Sequence, residues 1–460
     1  MSEFNVGELP SEEAQSPLMT ASTAQPVTAG LEAGPHQERT APTADVEAPP
    51  LKKASAGYLT LMTVANFGVS MAFLVPMTYS LAVRISQLAP GHEEVLGYVT
   101  GTAQFISIAA SPLVGVWSDR FRSRLGRRTP FMIGGGILGL IGLLGIALAP
   151  SMLLVGLGWV VALFGWAAAG QSIVNLQADR IPEDQRGKIS AFSGLSAQVA
   201  PVLGIGIAYA FSSSTLLVFL VPGLIGFALM VLFPLLKREG SSIELVHKST
   251  VGVRSLLASY TFSPRKHPDF AWNWLGRFVF FMGLYFNTTF GSFFYAQRLG
   301  LPIKEVAGTV ATIGMLGILA ASAGALAGGF LSDKLRRRKL FTFIGALLFV
   351  AGGITEAFAH SFTALLVGAL IMQIAIAVFS AVDQAIVFAV LPDRAQAGRY
   401  LAVVGFAQRI PSAIAPLIAP FIIVMGASGA EKNYTILYLA GAALALIGSL
   451  FILLKVKSVR

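Results

Sequence analysis

The chain has 460 residues, 55% of them hydrophobic and only 12% charged, with no cysteine and a formal net charge of +10, whereas soluble domains carry roughly 25% charged residues. This composition excludes a soluble globular protein. The absence of cysteine also removes disulfides, thiolate metal sites and Cys nucleophiles.

In chain order, residues 1–55 are polar, rich in Ala, Pro, Ser, Thr and Glu, and are expected to form a disordered tail. Apolar runs of about 20 residues follow, each long enough to cross a ~30 Å hydrocarbon core. Spans are expected over 57–86, 96–117, 130–149, 152–177, 189–211 and 214–236, and again over 270–297, 305–331, 340–358, 362–389, 400–424 and 433–455. Every backbone polar group must be satisfied inside its own segment in lipid, so these are helices and the fold is all-α integral membrane with twelve transmembrane helices. Residues 56–236 and 269–460 would form two six-helix bundles joined by a polar linker over 237–268, where "GSS", "KST" and "SPRKHP" occur.

Charge sets the orientation. Of 33 Lys and Arg, Arg84, Arg298, Lys304 and Lys432 fall on one side, Arg277 and Arg409 lie inside spans, and the other 27 fall on the side of the termini. The positive-inside rule puts both termini in the cytoplasm, and the plasma (inner) membrane is the expected location. The positive net charge is thereby accounted for without a nucleic-acid partner.

The chain repeats itself. "GVWSDRFRSR" at Gly115 returns as "GFLSDKLRRR" at Gly329, an offset of 214, and "RIPEDQRGKISAFSGLSAQVAP" at Arg180 is answered at an offset of 210 by "VLPDRAQAGRYLAVVGFAQRIP" at Val390. Two matches at nearly one offset indicate two related halves. Membrane proteins built this way hold a solute near the midplane between the halves.

Two acids of the 23 fall within spans, Glu356 and Asp383, and all five histidines lie outside them. A charge at the bilayer centre costs about 2.5–3.5 kcal/mol even on insertion scales, so such residues usually have a function. Asp383 lies nine residues before Pro392, Arg409 nine after Tyr400, and Arg277 about seven into its helix. At about 1.5 Å per residue the three share one depth and can meet, either as a locking salt bridge or as a coupling site where Asp383 takes up a proton. Glu356, 17 residues beyond Lys339, is expected at the far interface. In the first half the related positions are uncharged, and Asn66, Gln171, Asn175 and Gln198 are its polar groups within spans. With Gln384, Gln408 and Tyr285 from the second half they are the candidate solute-binding residues, because neutral amides and aromatics suit a sugar or another uncharged polar solute. No Ser/His/Asp or metal constellation is present, so neither an enzyme nor a metal ion is expected.

The motif at Gly115 resembles the signature loop of the major facilitator superfamily, and its longer form "SDRFRSRLGRRTPF" resembles that of the sucrose-transporter branch of the glycoside/cation symporters, a likeness that covers residues 56–455. The resemblance implies a latch: Gly115 packing closely against helix 11, Asp119 at that helix's N-terminus, and Arg120, Arg127 and Arg128 as charge partners. Gly329, Asp333 and Lys334 would form the second copy against helix 5. Where sucrose transporters carry an aspartate and an arginine in helix 4, this chain has Leu163 and Val174, and the acids of a melibiose-type sodium site are also missing. The expectation is a monomeric secondary transporter of a small polar solute, a sugar or glycoside, by alternating access, with protons as coupling ion and no cofactor. The alternatives are an exporter or facilitator of another metabolite or drug, and a non-transporting sensor.

Overall fold

The computed structural model describes residues 53–240, 242–243, 262–393, 396–426 and 431–459, all within one compact unit, Pro50–Arg460. The expected tail up to residue 52 and most of the linker, 244–261, lie outside the described residues. So do the side chains of 112–120, and with them the latch residues Gly115, Asp119 and Arg120.

Among the described residues the chain folds into helices with no strand. They are α1 (Ala56–Leu88), α2 (Val95–Arg120), α3 (Thr129–Leu148), α4 (Met152–Arg180), α5 (Glu183–Ala210) and α6 (Leu217–Leu236). The two pieces of α7 follow (Pro268–Thr289 and Gly291–Leu299), then α8 (Ile303–Leu335), α9 (Arg338–Ala357), α10 (Phe362–Ala389), α11 (Ala397–Val424) and α12 (Tyr434–Lys455). Ten are long and apolar enough to cross a membrane. The two others are α2, apolar over Val95–Ser111, and α7, in which Asn273, Arg277 and Asn287 dilute the hydropathy.

Helix ends follow local chemistry. The Ser55 hydroxyl accepts from the Tyr58 amide at the start of α1, and Ser361 and Asn433 do the same for Ala364 and Ile436 in α10 and α12. Prolines punctuate the interiors. Pro76 opens a π turn over Pro76–Ser80 within α1, and Pro411, Pro416 and Pro420 lie inside α11. Each removes an amide donor and leaves a carbonyl one turn back without its helical partner.

Packing repeats after six helices. In the first half α1 packs on α5 and α6, α3 on α4, and α2 on α4; in the second α7 packs on α11 and α12, α9 on α10, and α8 on α10. The two sets meet through α2 against α11 and α5 against α8. Apolar burial cannot drive helix association where lipid is as apolar as leucine, so contact depends on small residues that let backbones approach. A Cβ on Gly68 would stand 2.3 Å from the Gly226 carbonyl oxygen, and one on Gly283 would stand 2.2 Å from that of Gly441. The second pair repeats the first, α1–α6 becoming α7–α12.

Gly283→Val is therefore expected to push α7 off α12 and destabilise the protein by about 1–3 kcal/mol, the usual cost of overpacking. Gly329→Val, where a Cβ would meet nothing within 4 Å, is the control. Equal melting temperatures for the two variants would contradict the close-approach argument.

Candidate functional site: a cavity between the halves

A cavity of about 580 Å³ opens between the two sets of helices. Phe73 and Thr78 of α1, Thr100 and Gln104 of α2 and Trp159 of α4 line one wall. Tyr285, Asn287 and Tyr295 of α7, Glu356 of α9, Gln373 of α10 and Ser412 of α11 line the other. Local irregularity creates this wall. The break in α7 at Phe290, with φ −104° and ψ 18°, separates its two pieces, and the hydroxyls of Thr288 and Thr289 turn back onto the carbonyls of Leu284 and Tyr285. Phe73 stacks on Trp159, ring centroids 6.1 Å apart. Asn287 is only 3% exposed, and neither its amide nitrogen nor its carbonyl oxygen has a partner among the described residues. A buried amide left unpaired costs about 1–3 kcal/mol. The amide oxygen lies against Gly441 of α12 and the nitrogen against Gly353 of α9.

At the face away from the termini the halves are tied shut. The Tyr79 hydroxyl donates to the Lys304 carbonyl at 2.8 Å, and Ser292 Oγ to the Thr78 carbonyl at 2.6 Å. The Tyr434 hydroxyl donates to Glu93, and Lys432 Nζ lies 2.9 Å from Glu94, which also meets His92 Nδ1 at 2.9 Å. Beneath these ties α2 runs against α11. Pro420 has no N–H to bond the Pro416 carbonyl, and Gly97 lies against that bare oxygen, where a Cβ would come within 2.2 Å.

Burial pushes Glu93 above the usual carboxylate range, although the Tyr434 hydroxyl and Lys432 act against it. Burial acts the same way on Glu94, but the hydrogen bonds from Lys432 and His92 outweigh it and hold that carboxyl below its usual value.

Asp383 is fully buried and forms an ion pair with Arg277, whose guanidinium lies 5.2 Å from the centre of the Phe281 ring. Two of the three expected cluster members thus meet. The third does not: Arg409 is exposed on α11, and its neighbour Gln408 reaches the Tyr285 hydroxyl instead. One residue is about 100° of helix, so equal depth did not mean equal face. Of the candidate amides, Asn66 donates to the Ser193 carbonyl at 3.1 Å and serves α1–α5 packing. Gln171 bonds Asn175 at 2.9 Å, and Gln171, Gln198 and Gln384 are exposed. Tyr285 alone of the candidate solute-binding residues lines the cavity.

Glu356 lies one residue from the end of α9. It is 2% exposed, receives the Tyr295 hydroxyl at 3.3 Å, and lines the cavity. Sequence reasoning missed Asn287, Gln104, Thr100 and Gln373. One signal pointed to the last: the repeat offset of 210 carries Leu163, the departed helix 4 position, onto Gln373.

The basic loop works within its own half. Arg127 Nη2 and Arg128 Nε lie 3.0 and 3.2 Å from Asp179 at the end of α4. The Glu239 carboxylate accepts from the amides of Arg128 and Thr129 at 2.9 and 3.0 Å, capping α3, where negative charge is worth about 0.3–1 kcal/mol. Gly126 adopts φ +93°, and a Cβ there would strike Glu239. In the second copy, Gly329 is not closely packed, Asp333 pairs with Arg338 at 3.0 Å, and Lys334 lies over Phe330. The resemblance placed this copy against helix 5. Here α5 and α8 meet nearer the other face, where Val202 lies against Gly314, which leaves that copy unengaged in this conformation.

Two tests follow from the geometry. Asp383→Asn leaves Arg277 buried without a counter-ion and should cost about 3–5 kcal/mol in stability, with most of it recovered by adding Arg277→Gln; denaturant unfolding that shows no recovery in the double variant would refute this. For the closure, the signs oppose. Glu93 binds its proton more tightly when closed, so falling pH strengthens its contribution and rising pH removes it; Glu94 contributes above the ordinary carboxylate range and loses its contribution as pH falls. In a Glu94→Gln background, spin labels on Pro90→Cys and Glu305→Cys should therefore report a shrinking open population as pH is lowered. A growing one would reverse the assignment.

The family profile described as Major Facilitator Superfamily matches residues 56–328 and 304–460. A general alpha-glucoside permease of Schizosaccharomyces pombe is 32% identical over 100 residues, a stretch that spans 22% of this chain and only 18% of that protein. The fold is similar to that of a nucleoside transporter, with a TM-score of 0.69 at 11% identity over 85% of this chain and 97% of the other. It is similar also to a D-xylose-proton symporter, with a TM-score of 0.67 at 16% identity over 88% and 99%. A bacterial homolog of the human lysosomal transporter Spinster, inward-facing and unoccupied, aligns with a TM-score of 0.65 at 17% identity over 87% and 96%. The paired helices, the interposed cavity and the match along almost all of the described chain agree: this protein belongs to the major facilitator superfamily, a family of membrane transporters and not of enzymes.

Proposed function

We propose that the protein moves a small polar solute, a sugar or glycoside, across the plasma membrane by alternating access with proton coupling. The observation that carries this reading is the cavity wall, which combines neutral amides and hydroxyls with stacked aromatic rings and includes no Lys or Arg among its described residues. Gln104, Gln373 and Asn287 each offer both a donor and an acceptor, which matches the hydroxyl of a sugar, also both at once. Phe73, Trp159 and Tyr285 offer apolar ring faces. The partial likeness to an alpha-glucoside permease supports the same class.

With the termini in the cytoplasm, as the basic loops favour, the closed face is external and the structure represents an inward-facing state. The pathway lies within one chain, so a monomer suffices. Coupling needs no metal and no cofactor in this reading, only a carboxyl that can take up and release a proton.

Protein reconstituted in liposomes is expected to accumulate labelled α-glucosides when an inward proton gradient is imposed and to lose that accumulation with a protonophore. No flux of any labelled α-glucoside, with or without a gradient, would sink the sugar reading.

A further inference from the structure

Among the described residues two acids are buried, Asp383 and Glu356, and they are in opposite situations. Asp383 faces Arg277 inside the second half and does not line the cavity. Glu356 lines the cavity and has no cation on it. Its neighbours on every packed element are identifiable. From α7 come Tyr295, whose hydroxyl donates to Oε1 at 3.3 Å, and Arg298, which is turned away, donating to the Ala357 carbonyl at 2.7 Å and to Thr435 and lying 5.5 Å from the Phe294 ring centre. From α12 comes Tyr438, stacked on Phe294, and from α10 Gly368, over whose backbone the Glu356 side chain folds.

A carboxylate so enclosed, with one phenol for solvation, is costly as an anion and cheap as an acid. One turn before Glu356, Gly353 lies 3.4 Å by its Cβ position from the Asn287 amide nitrogen, the same amide whose polar atoms are buried and unpartnered at the cavity.

We propose that Glu356 is the proton-binding group of the cavity, while the Asp383–Arg277 pair is a fixed structural ion pair. The proton resides on the Glu356 carboxyl in the externally closed state and leaves toward the open face. When it leaves, the Tyr295 hydroxyl supplies the one hydrogen bond available to the anion. This assignment rests on the transporter reading but not on the identity of the solute.

The test is infrared difference spectroscopy of the full chain in lipid nanodiscs across pH, read at the C=O stretch of protonated carboxyl groups. The expected result is a titrating band present in the unaltered protein and in the double variant Asp383→Asn with Arg277→Gln, and lost in Glu356→Gln. In Glu356→Asp, which keeps a carboxyl and guards against a folding artefact, the band should shift and persist. The proposal is overturned if the band survives Glu356→Gln, if it is lost in the folded double variant, if no band titrates at all, or if sodium chloride at fixed pH removes it. A parallel measurement of labelled α-glucoside flux separates the two readings. A Glu356-dependent band with no flux discards the solute class and keeps the proton site, whereas flux with no such band does the reverse.

Discussion

A charge inside hydrocarbon must be neutralised by a partner, by a proton or by water, because its desolvation costs more than any single neighbouring contact returns. This chain uses the first solution for Asp383, which is buried against Arg277 and lies off the cavity wall. A pair of that kind rigidifies: the guanidinium fixes α7 to α10, and the Phe281 ring covers the cation. Glu356 receives no such partner among the described residues. Arg298 instead bonds the end of α9 and the start of α12, and the Tyr295 hydroxyl is the group that donates to Glu356.

Helix contact sets what the cavity can do. Within each half, mutual glycine approaches at Gly68–Gly226 and Gly283–Gly441 hold α1 to α6 and α7 to α12 as rigid pairs. Between the halves the seams rest on fewer, reversible contacts: Gly97 on a carbonyl freed by Pro420, two side chain to main chain hydrogen bonds, and the acids Glu93 and Glu94 on Tyr434 and Lys432. Glu93 and Glu94 belong to the loop before α2, and Lys432 and Tyr434 to the chain entering α12, so parting the halves breaks whole groups of contacts together. Rigid pairs with a breakable seam are the mechanical requirement for exposing one cavity to two sides in turn.

The twelve helices, the six-helix repeat and the meeting of Arg277 with Asp383 were legible in the sequence, because each is a matter of length or depth along a helix. What was not legible is direction around a helix. Gln408 and Arg409 are adjacent, yet one turns to Tyr285 and the other outward. Glu356 was counted to the right height and given the wrong environment, since its burial comes from α7, α10 and α12 closing around it. Gln171, Gln198 and Gln384 sit in apolar runs as polar residues should if they bind a solute, but they are exposed and do not line the cavity. Asn287 looked unremarkable until the break at Phe290 set it on the cavity wall. The latch is a different case. The resemblance implied contacts between helices for the second copy, and Asp333 is instead bonded to Arg338.

The asymmetry of the two halves carries the last step. Thr100, Gln104, Trp159 and Phe73 give the first half an uncharged wall, whereas both buried acids and the unpartnered Asn287 belong to the second. A wall without ionisable groups contacts a neutral solute equally whether or not a proton is bound, so by itself it cannot link one to the other. Linkage requires a site whose affinity differs between protonation states, and the carboxyl on the described cavity wall, Glu356, belongs to the second half. The repeat therefore duplicates the packing and not the chemistry of the wall. The first half supplies an uncharged surface, and the second supplies both of the buried acids among the described residues.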